Sequence, residues 1–361
     1  MLNTISLIRV LSCLAIAIFH ISRFLTYNYP SIEIDFNLAG PGFHLFLQIS
    51  GFVLVYITNS NDRPVRFMAK RMARIVPLYW TMTTIAVVML CWRPWLFQGA
   101  DLSAMSVLKS YMFVPGIDKI NHIHPVLYVG WTLNYMMLFY ALFSLSLLAP
   151  KAWQNWTAIA GLLSVMLLGN LLPQGAFRTF YTDPILLEFA FGCLVGIALR
   201  QPSVSKWVKE TPMWPMMTVG CIGLFMATLG HFQGWAKVMA YSPPAALVLF
   251  ACAGKDLYRK PLKGQLVHRL GLLSFGVYLI HPIVLPFLGI VVGKLIGQTW
   301  LGAIALYVLT LTATIVLADL AHRFIEKPSN TWLRQKLNQA PSLASKADKE
   351  PERQAHTGRT A

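Results

Sequence analysis

Long apolar runs joined by short basic connections predict an all-α, polytopic integral membrane protein with about ten transmembrane helices. Three observations carry this prediction. Of 361 residues, 56% are hydrophobic and only 12% charged, and the mean hydropathy is +0.56, which excludes an ordinary soluble domain. The apolar runs reach the roughly 17 to 25 residues a helix needs to cross a bilayer core. They are also continuous, without the alternation and turn spacing of a lipid-facing barrel. In order, the runs lie near residues 5–25, 38–58, 75–92, 127–149, 156–173, 184–200, 214–232, 236–253, 270–292 and 299–321. Residues 1–328 read as one membrane domain.

Basic residues orient the runs. With the N-terminus inside, the inner segments hold Arg63, Arg66, Lys70, Arg71 and Arg74, then Lys151, then Arg200, Lys206 and Lys209, then Lys255, Arg259, Lys260, Lys263 and Arg269, and eight more from Arg323 onward. That is 22, against seven outside: Arg23, Arg93, Lys109, Lys119, Arg178, Lys237 and Lys294. This positive-inside bias predicts an inner-membrane protein with both termini cytoplasmic. The formal charge of +16 therefore reflects topology and contact with membrane lipid, and no nucleic-acid partner is implied. No basic region precedes the first run and Arg9 interrupts it, so it is expected to remain as a helix instead of being cleaved as a signal peptide. Residues 329–361 turn polar, ending in the mixed-charge stretch ASKADKEPERQ, and are expected to form a flexible cytoplasmic tail. No internal repeat is visible, which disfavours an inverted-repeat transporter.

The first run carries both a cation and an imidazole, Arg9 and His20. An offset of 11 is about three helical turns, which places both on one face roughly 16.5 Å apart. Ionisable residues inside a membrane are functional candidates, and histidine is the usual proton carrier near neutral pH. The plainer alternative is a snorkelling arginine and a histidine satisfied by a neighbouring helix. The second run adds a polar stripe, His44, Gln48 and Ser50, before Gly51, which either lies by a ligand or permits close helix packing. Ahead of the third run, Arg71 and Arg74 share a helical face and can hold phosphate bidentately, or simply anchor the topology.

Later runs contribute Trp131, Met136 and Tyr140, then Glu188, His281 before Pro282, Asp319, and Glu326. Glu188 is hard to dismiss, because a buried carboxylate needs a partner. His281 can satisfy carbonyls freed by a proline kink, and Glu326 can pair with Arg323 or Lys327. His122 and His124 read as solvated loop residues. Cys13, Cys91, Cys193, Cys221 and Cys252 have no paired spacing, so no disulfide framework or zinc site is indicated. No Gly-rich phosphate loop, paired metal-ligand motif or nucleophile elbow occurs, and no metal is expected.

Taken in order, the Arg9 to His20 spacing, GFHLFLQISGF (Gly42 to Phe52), RMARIVPLYW (Arg71 to Trp80), GWTLNYMMLFYALF (Gly130 to Phe143), LLEFAFGCLVG, SFGVYLIHP and FIEKP resemble membrane acyltransferase family 3, in particular its exopolysaccharide O-acetyltransferase branch. The resemblance spans about residues 5–328. It implies ten membrane helices, a cytoplasmic acyl-CoA donor such as acetyl-CoA, and transfer of a short acyl group to a hydroxyl of a glycan or lipid-linked saccharide. On it, His20 matches the essential histidine, Arg9 its partner, and Arg71 and Arg74 the arginines near the nucleotide of coenzyme A. The chain departs from the family in two places. Relatives commonly have an acidic residue where His44 stands, and a glutamate where Met136 stands. If that glutamate serves the histidine, this chain is weak, inactive, altered at that position or reliant on another acid such as Glu188.

The residues themselves agree with an acyl transfer, which needs a base for the hydroxyl proton and donors for the oxyanion. His20 is the candidate base or acyl carrier, with Ser50 and Tyr140 as polar support. Two other classes compete, a glycan transporter or flippase and a weakened acyltransferase relative that only binds. Consumption of acyl-CoA separates them. The acceptor, the acyl group and the oligomeric state are not written in the sequence.

Overall fold

The computed structural model describes residues 2–339 except 30–31, 33–37, 59–60, 97–98 and 260–263. Lys260, Lys263 and the stretch from Ala344 lie outside the described residues. Among these the regular structure is helical: α1 (Asn3–Asn28), α2 (Ala39–Ile57), α3 (Pro64–Trp92), α4 (Ala104–Tyr111), α5 (Trp131–Ser146), α6 (Gln154–Gly169), α7 (Ala176–Tyr181), α8 (Leu187–Arg200), α9 (Pro202–Glu210), α10 (Trp214–Leu229), α11 (Gly234–Tyr258), α12 (Gln265–Leu295), α13 (Trp300–Ala321) and α14 (Lys327–Gln339). Helices satisfy every backbone group within one segment, the requirement a hydrocarbon solvent imposes. Large apolar side chains stay exposed along their flanks, among them Val219, Ile222 and Phe225 on α10 and Ile304, Val308 and Leu317 on α13. An apolar exterior of that extent fits lipid and not water.

Among the described residues seven stretches are long and apolar enough to span a membrane, α1, α2, α3, Ala176–Arg200, α11, α12 and Trp300–Leu333, and the bent pair α9 and α10 makes an eighth if it counts as one span. The other three of the ten expected runs became α5, α6 and α10, each 16 residues. At 1.5 Å per residue they are about 24 Å long, short of a core of about 30 Å. Apolar composition overstated their helical length, because residues 128–130 form a separate turn before α5, turns follow α5 and α6, and α10 ends at Leu229. Residues 329–339, expected in the tail, are helical. Helix α14 continues to Gln339, and its Trp332 and Leu333 line an apolar groove with Met72 and Val76 of α3.

Helix α1 lies among α2, α11, α12 and α13. Its start is fixed by Asp256 at the end of α11, whose carboxylate accepts from the Thr4 hydroxyl (2.5 Å) and the Ile5 amide (3.0 Å). A carboxylate there satisfies free N–H groups and complements the helix dipole, and so sets the depth of Arg9 and His20. Helices α2 and α8 pack backbone to backbone. A Cβ at Gly51 would overlap the Phe189 carbonyl and one at Gly192 the Gln48 carbonyl. Gly51 is thus a packing residue, which corrects its reading as a ligand contact.

Candidate active site

Three guanidinium groups converge on one small cavity at the basic end of the bundle. Arg9 of α1, Arg71 and Arg74 of α3, Ser50 of α2, Met136 and Tyr140 of α5, and Ser274 of α12 line about 50 Å³. Pro64 starts α3 at a position where its missing N–H is no loss. The helix therefore begins before the basic residues and carries Arg71 and Arg74, three apart, toward α1. Arg9 donates from Nη2 to the Gly271 carbonyl (2.6 Å), which holds it against α12. Arg71 lies over the Phe67 ring at 5.0 Å. The Nε atoms of Arg9 and Arg71 are buried without partners. Arg74 repels Arg9 and Glu326 attracts it, but no carboxylate among the described residues lines the cavity. Converging guanidinium groups with free donors have the chemistry that pairs with phosphate oxygens.

His20 stands at the other end of α1, where two larger cavities meet. One, of about 480 Å³, is walled by Phe43, Trp131, Asp183, Lys237 and Tyr241. The other, of about 590 Å³, is walled by Arg23, Tyr27, Tyr128, Pro286 and Lys294. The imidazole stacks on His281 (centroids 5.3 Å apart, 25°) and meets the edge of Tyr128 at 5.0 Å. His281 is fully buried. Its Nδ1 lies 3.1 Å from the Val277 carbonyl, while Nε2 has no partner. The Nδ1 contact has the form expected beside a proline kink, and the same contact assigns the ring proton to Nδ1. Nε2 is left as an acceptor.

Glu188 and His44 belong to neither set. Glu188 accepts from His44 Nδ1 (2.6 Å), Gln48 Nε2 (2.8 Å) and the Ser242 hydroxyl, and Gln48 also donates to the Ser242 carbonyl (2.9 Å). All four residues are fully buried. His44 stacks on Tyr241 at 4.7 Å, which stands between this cluster and the cavity beside His20. The cluster ties α2, α8 and α11 together, so Glu188 has the partners its burial requires. The expectation that Glu188 replaces an acid missing at position 136 is corrected accordingly. Met136 faces the arginines, while Glu188 is in a separate polar core.

Other expectations divide in the same way. Glu326 pairs with His322 (2.8 Å), not with Arg323 or Lys327. Asp319, read as intramembrane, meets Arg269 (2.8 Å) and Arg323 (2.7 Å) at a partly exposed position. His124 is not plain solvated surface. It is half-buried and 3.2 Å from Asp118, and Asp118, His122 and His124 bring ligand atoms within 4.8 Å of one another. Sequence reasoning missed Tyr128, Arg23 and Lys294 as neighbours of the histidine. Arg23 follows His20 by three residues on α1, a spacing that local helical geometry marks, whereas Tyr128 and Lys294 come from separate segments.

The family model for the acyltransferase domain matches residues 2–319. The exopolysaccharide production protein ExoZ of Rhizobium meliloti (strain 1021) is 30% identical over 302 residues, covering 81% of this chain and 90% of the relative. The acyltransferase MdmB of Streptomyces mycarofaciens is 25% identical, covering 83% of this chain and 84% of the relative. Nodulation protein 10 of Rhizobium leguminosarum bv. viciae is 24% identical, covering 91% and 93%. No solved structure gives a significant match.

Proposed function

We propose that this chain, which belongs to the acyltransferase family, is an inner-membrane O-acyltransferase moving an acetyl or other short acyl group from acyl-CoA to a hydroxyl of an exported saccharide. The observation that carries this reading is the convergence of Arg9, Arg71 and Arg74 on one cavity with unpartnered donors and, among the described residues, no carboxylate in its wall. Such a cavity suits a phosphate-bearing donor. The 22-to-7 bias in basic residues supports a cytoplasmic position for it, and a relative named for exopolysaccharide production supports a saccharide acceptor.

On this reading the donor's phosphates rest on Arg9, Arg71 and Arg74, with Tyr140 beside them, and the acceptor approaches His20 from the opposite end. A ring nitrogen of His20 takes the hydroxyl proton as the oxygen attacks the thioester carbonyl. The C–S bond breaks and the proton passes to the departing thiolate. The buried His281 ring stacks on His20 and holds its imidazole where the two larger cavities meet. The test is acyl transfer by the purified protein in lipid vesicles with labelled acetyl-CoA and candidate saccharides. Acetyl-CoA that is neither bound nor consumed would leave transport as the better reading. Single cysteines placed near Asp62 should label from the cytoplasmic side, and labelling from outside intact cells would reverse the topology and the donor's entry.

A further inference from the structure

The two cavities beside His20 differ in charge. In the one of about 480 Å³, Lys237 shares the wall with Asp183, and the two interact. In the one of about 590 Å³, Arg23 and Lys294 line the wall and no carboxylate among the described residues does. Neither cation has a hydrogen bond or ion pair among the described residues, whereas Arg269 and Arg323 share Asp319 and Lys70 has Asp62. The end of the bundle that holds His20 is poor in basic residues, and two of its seven converge here. Helix-end cations that only snorkel need no concave wall and no histidine. His124 also lines this cavity. Burial holds its imidazole below the ordinary histidine value despite Asp118, so Arg23 and Lys294 are the standing charges. Tyr27 and Tyr128 supply aromatic faces beside them, the mixture of apolar wall and few polar groups that binds small molecules.

We propose that this cavity receives the acceptor and that the acceptor carries a negative charge near the hydroxyl to be acylated. The charge is the carboxylate of a uronic-acid unit or the diphosphate of a lipid-linked saccharide. The inference rests on the reading of His20 as the acyl-transfer base, and its test reads binding without turnover. Wild type, Arg23→Gln, Lys294→Gln, the double variant and His20→Ala are placed in nanodiscs. Binding of cellobiose, cellobiouronic acid and farnesyl-diphosphate glucose is measured at low and high salt. A charge-assisted contact corresponds to about 10-fold in affinity or more. At least one anionic probe should therefore bind wild type and His20→Ala about 10-fold tighter than cellobiose, and the preference should fall with salt and vanish in the double variant. Preference for the uronic acid assigns the charge to the sugar, and preference for the diphosphate alone assigns it to the lipid carrier. Equal binding of all three probes, no binding of either anionic probe, or a preference that survives in the double variant overturns the proposal. Transfer retained by His20→Ala alongside an intact preference would instead overturn the acyl-transfer reading alone.

Discussion

Met136→Glu tests what the arginine cavity is for. The resemblance implies a glutamate at this position serving the proposed base His20, yet Met136 shares its cavity with Arg9, Arg71 and Arg74 and not with His20. A carboxylate there would face three cations, two of them with unpartnered Nε atoms, and would occupy at least one. Each charge-assisted contact is worth about 1.5 to 3 kcal/mol. Withdrawing one guanidinium from the donor should thus weaken acyl-CoA binding roughly 10- to 150-fold. Met136→Gln keeps the shape without the charge and should leave affinity near wild type. The assay is acetyl-CoA binding and turnover for both variants and wild type in one membrane preparation. If Met136→Glu binds the donor as tightly as Met136→Gln and turns over faster than wild type, the carboxylate serves the histidine and the cavity argument fails.

His20→Ala should lower transfer by about 10² to 10⁴, the usual worth of a general base, with donor affinity unchanged because His20 is outside the arginine cavity; wild-type turnover would return His20 to a packing role. Glu188→Ala should destabilise the fold by about 3 to 5 kcal/mol, since it leaves His44 and the Ser242 hydroxyl without their acceptor and Gln48 with one of its two. Thermal unfolding in detergent checks this, and a fully stable but inactive variant would make Glu188 catalytic after all. Gly192→Ala should cost about 1 to 3 kcal/mol by forcing α8 away from the Gln48 carbonyl, seen as a lower melting temperature. An unchanged melting temperature would refute the close α2–α8 contact.

The sequence alone determined the solvent and therefore the secondary structure. Apolar runs of this length have one answer in lipid, helices with their backbone groups paired internally. It also determined that Arg9 and His20 share a face and that Arg71 and Arg74 share another, because helical spacing is local geometry. The same locality blurred the helix ends, where apolar composition continues through the turns that follow α5 and α6. It could not tell which polar residues meet. Met136 and Glu188 both looked like candidates for one acid role, and only packing separated them, Met136 facing the guanidinium groups of α1 and α3 and Glu188 joining His44 and Ser242 across α2, α8 and α11. The pairing of His20 with His281, and of Arg23 with Lys294 beside it, joins residues more than 250 positions apart. Such contacts depend on how helices cross, and crossing is set by small residues and shape at each interface. That information is spread over many partners, and no single motif carries it.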